Sequence, residues 1–191
     1  SRNGLSQEDA FKESFHHVDL AEELGLDGIW LAESHFAPSR AVLSAPLIMA
    51  AAIAGRTKRI KIGTAVHVLP LGNPLHIAEQ VATLDHISNG RFEFGVGRSG
   101  SPGSYEGYNI SYAESRERFY ESLDIISAAF KHDVFSYDGK FFKFTDVCLT
   151  PKPLQNPYPP MRVAATTSDT FSVLGKKGAP IFVGVRNLPL K

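Results

Sequence analysis

Apolar positions along this chain alternate between helical spacing of about 3.6 residues and short continuous runs, the pattern of helices interleaved with buried strands. Residues 6 to 24 carry Phe11, Phe15, Val18 and Ala21 at helical spacing, with Ser6 as N-cap, Asp9 completing a variant of the capping box, and Gly25 as the stop. A short strand follows at 29 to 33, then an Ala-rich helix over 44 to 55 and a strand from Ile60 to Val66. Asn73-Pro74 opens the next helix: Asn caps it, and Pro takes the first helical position, where its missing N–H costs nothing. Ile77, Val81 and Leu84 share its inner face, Gly90 stops it, and Phe92 to Val96 is a further strand. Ser111-Tyr-Ala-Glu114 reads as a capping box for a long helix over 112 to 130, buried along Phe119, Leu123, Ile126 and Phe130. The alternation breaks at 134 to 147, a β-hairpin with Asp138-Gly139 in the turn. A connector with five prolines spans 150 to 161, and strand 162–166, a helix near 169–177 and strand 181–185 complete the pattern.

Strand–helix alternation with short connections predicts an α/β fold of parallel strands joined by right-handed crossovers. A doubly wound open sheet and a (β/α)8 barrel both satisfy it, and periodicity does not separate them. A full barrel needs eight strands and ~250 residues. This chain has 191 residues and about five parallel strands. It opens directly into a helix, as though a first strand had been removed, and no seventh or eighth strand follows Leu190. The expectation is one incomplete domain over residues 1–191.

Composition narrows the partners. Twenty basic residues balance twenty acidic ones, so net charge provides no reason to expect nucleic acid or a membrane surface. Cys148 is the one cysteine, which rules out an intrachain disulfide and fits a reducing compartment. No apolar run approaches the ~18 residues of a membrane span, and the N-terminus does not read as a signal peptide. A cytoplasmic protein is expected.

Four stretches depart from the plain core pattern. Each follows the C-terminal end of a predicted strand, the edge where both parallel architectures build their sites. Glu33-Ser34-His35 sets a carboxylate and an imidazole on one side of an extended segment, able to position or exchange a proton. A histidine hydrogen-bonded into the structure, with Glu33 as its acceptor, is the plainer alternative. Gly63-Thr-Ala-Val-His-Val-Leu-Pro70 has small residues that let a flat ligand approach the backbone, or is a strand ending in a proline turn. Gly95-Val-Gly-Arg-Ser-Gly-Ser-Pro-Gly103 departs from the dinucleotide fingerprint, because the next helix waits until about 112. Residues 98 to 110 then form a long loop with Arg98 at its base, well suited to an anion. Arg116 aligns with Phe119 and Leu123, hence with the predicted buried face, where it needs an anion or a protein carboxylate. Ala164-Ala-Thr-Thr-Ser-Asp-Thr170 runs a strand into hydroxyl residues at a helix N-terminus, apt for phosphate binding or for simple capping. His16, His17, His76, His86 and His132 show no metal-ligand spacing and read as structural or solvent-facing.

Together these motifs resemble the bacterial-luciferase-like flavin-dependent monooxygenases. The resemblance rests on Gly25-Leu-Asp-Gly-Ile-Trp-Leu-Ala-Glu-Ser-His-Phe36, on Leu84-Asp-His-Ile-Ser-Asn-Gly-Arg-Phe-Glu-Phe-Gly-Val-Gly-Arg98, on Glu114-Ser-Arg-Glu-Arg-Phe119 and on Val163-Ala-Ala-Thr-Thr-Ser168, in that order over roughly residues 15 to 185. It implies a (β/α)8 TIM-type barrel and reduced FMN, supplied by a flavin reductase. It also implies a reaction in which reduced flavin and oxygen act on an aldehyde or similar small organic substrate. By the same resemblance Arg98 and Arg116 match the flavin-phosphate arginines, and Thr166 and Ser168 fall in the hydroxyl-rich phosphate loop. Ala65 and Val66 match a non-prolyl cis peptide against the flavin ring. Glu33, Ser34 and His35 form the catalytic segment, and a homodimer pairs through helices like 44–55 and 75–88. Two departures stand out. Ser34 replaces the first of two adjacent histidines, the one associated with base catalysis, which argues against light emission. Gly97 replaces a cysteine, removing a thiol and opening space. A flavin-binding protein without turnover, and a deazaflavin-dependent reductase on the same barrel, are the alternatives.

Overall fold

The computed structural model describes residues 4, 6–165, 168–176, 178 and 180–183. Its elements run α1 (Gln7–Glu23), β1 (Gly28–Leu31), α2 (Pro46–Arg56), β2 (Lys61–Thr64), β3 (His67–Val68), α3 (Pro74–Ile87), β4 (Phe92–Gly97), α4 (Pro102–Gly107), α5 (Ser115–Lys131), β5 (Phe135–Asp138), β6 (Lys143–Val147), β7 (Met161–Ala165), α6 (Ser168–Lys176) and β8 (Ile181–Val183). Five strands lie parallel in the order β1-β2-β4-β7-β8, with β3 extending the pairing beside β4.

The sheet is curled, which decides between the two architectures. Trp30 of β1 and Phe182 of β8 sit on the outermost strands, yet their rings meet edge to face with centroids 4.9 Å apart. A flat five-stranded sheet would hold its outer strands roughly 19 Å apart. Glycines on the concave side make this approach possible. A Cβ on Gly63 would collide with the Trp30 ring, and one on Gly95 would meet Phe182 and the Thr64 carbonyl. The five parallel strands thus form a half-barrel. On the convex side Phe92, Phe94 and Val96 of β4 are fully buried against apolar residues of α2, α3 and α5, such as Ile53, Val81 and Ile126.

Several local expectations hold. Ser6 caps α1 by accepting from the Asp9 N–H at 3.0 Å, and Asn73 caps α3 by accepting from the Leu75 N–H at 2.9 Å. The hairpin β5–β6 forms where expected. Its turn is tied to α5 by Glu121, whose carboxylate accepts the backbone N–H groups of Lys140, Phe141 and Phe142.

Others need correction. Ser111 makes no side-chain cap. A 3-10 turn at Tyr112–Glu114 intervenes, α5 starts at Ser115, and Glu114 turns forward to accept from Arg118 at 2.9 Å. The stretch 98–110 is not all loop, since α4 lies inside it. β1 is less buried than its apolar sequence implies, with Trp30 42% exposed on an edge strand.

Much of the stretch 84–98 builds the N-terminal end of the half-barrel rather than a site. The Arg91 guanidinium donates to the carbonyls of Ala54, Thr57, Ile60 and Ser88 and to the Thr57 hydroxyl. It thereby closes the C-terminus of α2, where orphan carbonyls need donors. The buried Asp85 accepts from the Gln155 backbone at 2.8 Å and side chain at 2.7 Å, fastening the proline-rich connector.

Candidate active site

The C-terminal ends of β1, β2 and β4 converge, and the side chains that follow them form two groups. In the first, the Glu33 carboxylate lies between two imidazoles. Its Oε1 is 2.6 Å from Nε2 of His35, and its Oε2 is 2.6 Å from Nδ1 of His67 while also accepting from the Val68 N–H at 3.2 Å. The His67 contact lies off the ring N–H axis, a close approach rather than a linear hydrogen bond. The other nitrogen of His35 sits 3.3 Å from the Tyr108 hydroxyl. The Tyr108 ring stacks edge-on against His35 and packs on Phe36, so the end of α4 folds down onto the loop after β1. All four polar groups line one cavity of about 210 Å³, walled further by Leu47, Ile48, Leu71 and Ile77 and by His76 and Gln80. Ser34 does not line this cavity; its N–H donates to the Leu43 carbonyl.

Burial alone would push the Glu33 carboxyl upward. Contacts from His67 and His35, with the Val68 N–H, outweigh it and hold the group below the ordinary value of 4.5. A carboxyl lowered in the folded state stabilises the fold above its unfolded pKa and loses that contribution as pH falls. Wild type is therefore expected to lead Glu33→Gln in urea-unfolding stability by its full margin near neutral pH, and by a shrinking margin below pH 4.5. A margin that does not vary with pH would mean the carboxylate is not held by these imidazoles.

The second group lies at the start of α5. Arg98 is exposed, and its Nη1 donates to the Ser115 hydroxyl at 3.0 Å. Its guanidinium lies over the Tyr112 ring, 5.7 Å from the centroid. Its carbonyl accepts from the hydroxyl of the fully buried Tyr105. Burial pushes the Tyr105 hydroxyl up to about 12, so it remains a donor and anchors the Arg98 backbone. Arg116 is adjacent to Ser115 but exposed, not inward as its alignment with Phe119 and Leu123 predicts. It occupies the first turn of α5, beyond the packed rows that begin with Phe119. Neither arginine has a carboxylate partner among the described residues, while the neighbouring Arg118 does. Two cationic groups at the N-terminus of a seventeen-residue helix make a setting that favours an anion. Thr166 lies outside the described residues, and Ser168 is the first residue of α6.

The Ala65–Val66 peptide bond, between β2 and β3, is cis. The space at Gly97 is not open, because a Cβ there would meet the Val66 side chain, which fills it.

A sequence profile of the family described as luciferase-like monooxygenase matches residues 1–191. The chain belongs to the luciferase-like monooxygenase family. Uncharacterized protein y4vJ of Sinorhizobium fredii is 31% identical over 185 residues, covering 96% of this chain and 52% of that protein. The oxygenase component of the flavin-dependent trigonelline monooxygenase of Acinetobacter baylyi is 28% identical over 180 residues, covering 93% and 49%. The crystal structure of monooxygenase RslO1 from Streptomyces bottropensis superposes with a TM-score of 0.91 at 29% identity, covering 98% of this chain and 58% of that one. This luciferase-like chain thus spans about half the length of the curated relatives it matches.

Two members of the site in this luciferase-like chain are absent from the sequence-level candidates. His67 and Tyr108 reach Glu33 and His35 from distant segments, and His76, expected to be structural or solvent-facing, lines the same cavity. For His67 a signal was present: it and His35 are the two histidines that closely follow the ends of parallel strands, the edge where such folds place chemistry.

Proposed function

We propose that this chain forms part of an FMN-dependent, non-luminescent monooxygenase that uses reduced FMN and oxygen on a small organic substrate. The observation that carries the reading is the pair Arg98, after β4, and Arg116, in the first turn of α5, neither with a carboxylate partner among the described residues, and Arg98 steadied by Ser115, Tyr105 and Tyr112. Such a setting fits the dianionic phosphate of FMN, which guanidinium groups meet with paired hydrogen bonds. Arg98, Ser115 and Arg116 would hold the phosphate, with Thr166 and Ser168 contributing from the β7–α6 junction. Ala65 and Val66 would lie against the ring. When bound, reduced flavin supplies the electrons that activate oxygen. The protein's own part is to bind and orient, to shed water from the apolar cavity wall, and to manage a proton at the Glu33–His35–His67 cluster.

A flavin reductase is the expected source of reduced FMN, which agrees with the phrase "oxygenase component" in the name of the trigonelline relative. A cytoplasmic homodimer is the expected form. Support for pairing comes from an apolar groove between α2 and α3, where Ile48 is 72% and Ile87 51% exposed. No helix among the described residues is long and apolar enough to cross a membrane.

The test takes two steps. Equilibrium dialysis against FMN and against a deazaflavin is expected to favour FMN. Mixing the protein with reduced FMN and decanal or phenol under labelled oxygen is then expected to place one labelled atom in the product. Preference for the deazaflavin, or FMN binding with no labelled product from either probe, would overturn the monooxygenase reading.

A further inference from the structure

Glu33 holds an imidazole at each of its two oxygens, both at 2.6 Å. A ring nitrogen that close to a carboxylate oxygen is favoured in its protonated form, in line with the oxygen or beside it, since a ring lone pair next to the negative charge is repelled. His35 therefore carries its proton on Nε2, and its Nδ1 accepts from the Tyr108 hydroxyl. His67 carries its proton on Nδ1, which is buried beside Glu33, and keeps a lone pair on Nε2, while its ring lines the cavity. One carboxylate thus fixes two histidines as opposite tautomers. His35 is engaged at both nitrogens, while His67 has one to spare.

We propose that His67 is the proton acceptor for a ligand bound in this cavity, and that the ligand is a small neutral molecule bearing an O–H or N–H donor, with a single-ring phenol as the fitting case.

The cavity supports this chemistry. At about 210 Å³ it falls below the ~300–1,000 Å³ of sites for drug-sized ligands, which suits one ring or a short chain. Its apolar wall is formed by Leu47, Ile48, Leu71 and Ile77. Among the described residues no lysine or arginine lines it, and the Glu33 carboxylate stands at its polar end, so an anion is disfavoured on entry and a neutral donor is not. His67 meets Glu33 from the loop after β1 and the Phe94 ring of β4 at 6.2 Å, and it shares the cavity with His35 from that loop, Tyr108 from the end of α4 and His76 from α3. His76 is itself engaged with Gln80 at 3.2 Å. In the step proposed, the proton moves from the ligand oxygen to Nε2 of His67. The ligand becomes the oxyanion, the imidazolium is held by Glu33, and no electron changes hands. The anion is the more electron-rich form, the one that an electrophilic oxygen donor requires.

This inference rests on the monooxygenase reading for the fate of the anion; the tautomers and the proton transfer are testable without flavin. Nitrogen-15 NMR of the histidine rings in the cofactor-free protein is expected to show His67 as the Nδ1–H tautomer and His35 as the Nε2–H tautomer. Titration with phenol is expected to move the His67 Nε2 resonance and to leave the His35 nitrogens in place. Anisole, which lacks the O–H, is expected to bind about tenfold more weakly, the worth of one hydrogen bond. His67→Gln should abolish that preference, and Glu33→Gln should release the His67 tautomer. An Nε2–H tautomer at His67, or equal affinity for phenol and anisole in wild type, would overturn the proposal. Failure of FMN to bind while these tautomers hold would sink the monooxygenase reading and leave His67 as the acceptor.

Discussion

Replacing both arginines at the start of α5, Arg98→Ala together with Arg116→Ala, is expected to weaken FMN binding by about 3 kcal/mol, roughly a hundredfold in Kd. Each side chain offers charge-assisted hydrogen bonds, worth more than neutral ones. The site around them is prebuilt: Arg98 is oriented by Ser115 and supported by the Tyr112 ring, and its backbone is fixed by Tyr105. Arg116 has no carboxylate partner among the described residues to release first. Riboflavin lacks the phosphate, so its affinity should be nearly the same for the variant and wild type. A comparison of FMN and riboflavin by flavin-fluorescence titration separates the phosphate site from general damage to the pocket. An unchanged FMN affinity would mean the phosphate lies elsewhere. Both arginines are exposed, so neither change removes core packing, and stability should stay within the small range usual for surface positions.

The second large effect is on stability. Arg91→Ala is expected to lower unfolding free energy by about 3 kcal/mol, because several carbonyls lose their donor together. The carbonyls of Ala54, Thr57 and Ile60 all depend on this one guanidinium, and so does the Thr57 hydroxyl. Arg91→Lys should recover only part of the loss. An ammonium presents its donors from one point, whereas the guanidinium reaches carbonyls of α2 and of the α2–β2 connection in one plane. Urea unfolding of the three proteins measures the difference. Equal midpoints for wild type and Arg91→Ala would show that the α2 terminus finds other partners. Arg91 belongs to one of the stretches by which the chain is related to flavin enzymes, yet its contacts are all with the N-terminal frame of the half-barrel.

The frame was legible in the sequence because its signals are local. Ser6 and Asn73 cap the helices they were expected to cap, and the expected hairpin forms, although Asp138 ends β5 and the loop runs from Gly139 to Phe142. Such signals act over three or four residues, and nothing distant competes with them. The Ser111 box failed for a local reason of another kind. Glu114 had a second partner in Arg118, and a 3-10 turn displaced the start of the helix. Arg116 was misjudged because periodicity reports the azimuth of a side chain but not its height. On α5 it shares a side with Leu123 but stands in the first turn, beyond the residues that cover that side. The opening expected at Gly97 was misjudged because the group that fills it, Val66, arrives from another strand.

The amino-acid sequence by itself determined the order of strands and helices, the parallel class of the sheet, and the edge on which Glu33, His35 and Arg98 would lie. Each follows from spacing between near neighbours. Only the tertiary structure decided that the sheet curls until Trp30 and Phe182 touch, that Tyr108 comes down on a histidine 73 residues away, and that His67 shares one carboxylate with His35. Those outcomes depend on sheet curvature and on side chains from separate crossovers meeting at one edge. Chain distance carries no record of such meetings, and at the site the meeting of side chains assigns each its role.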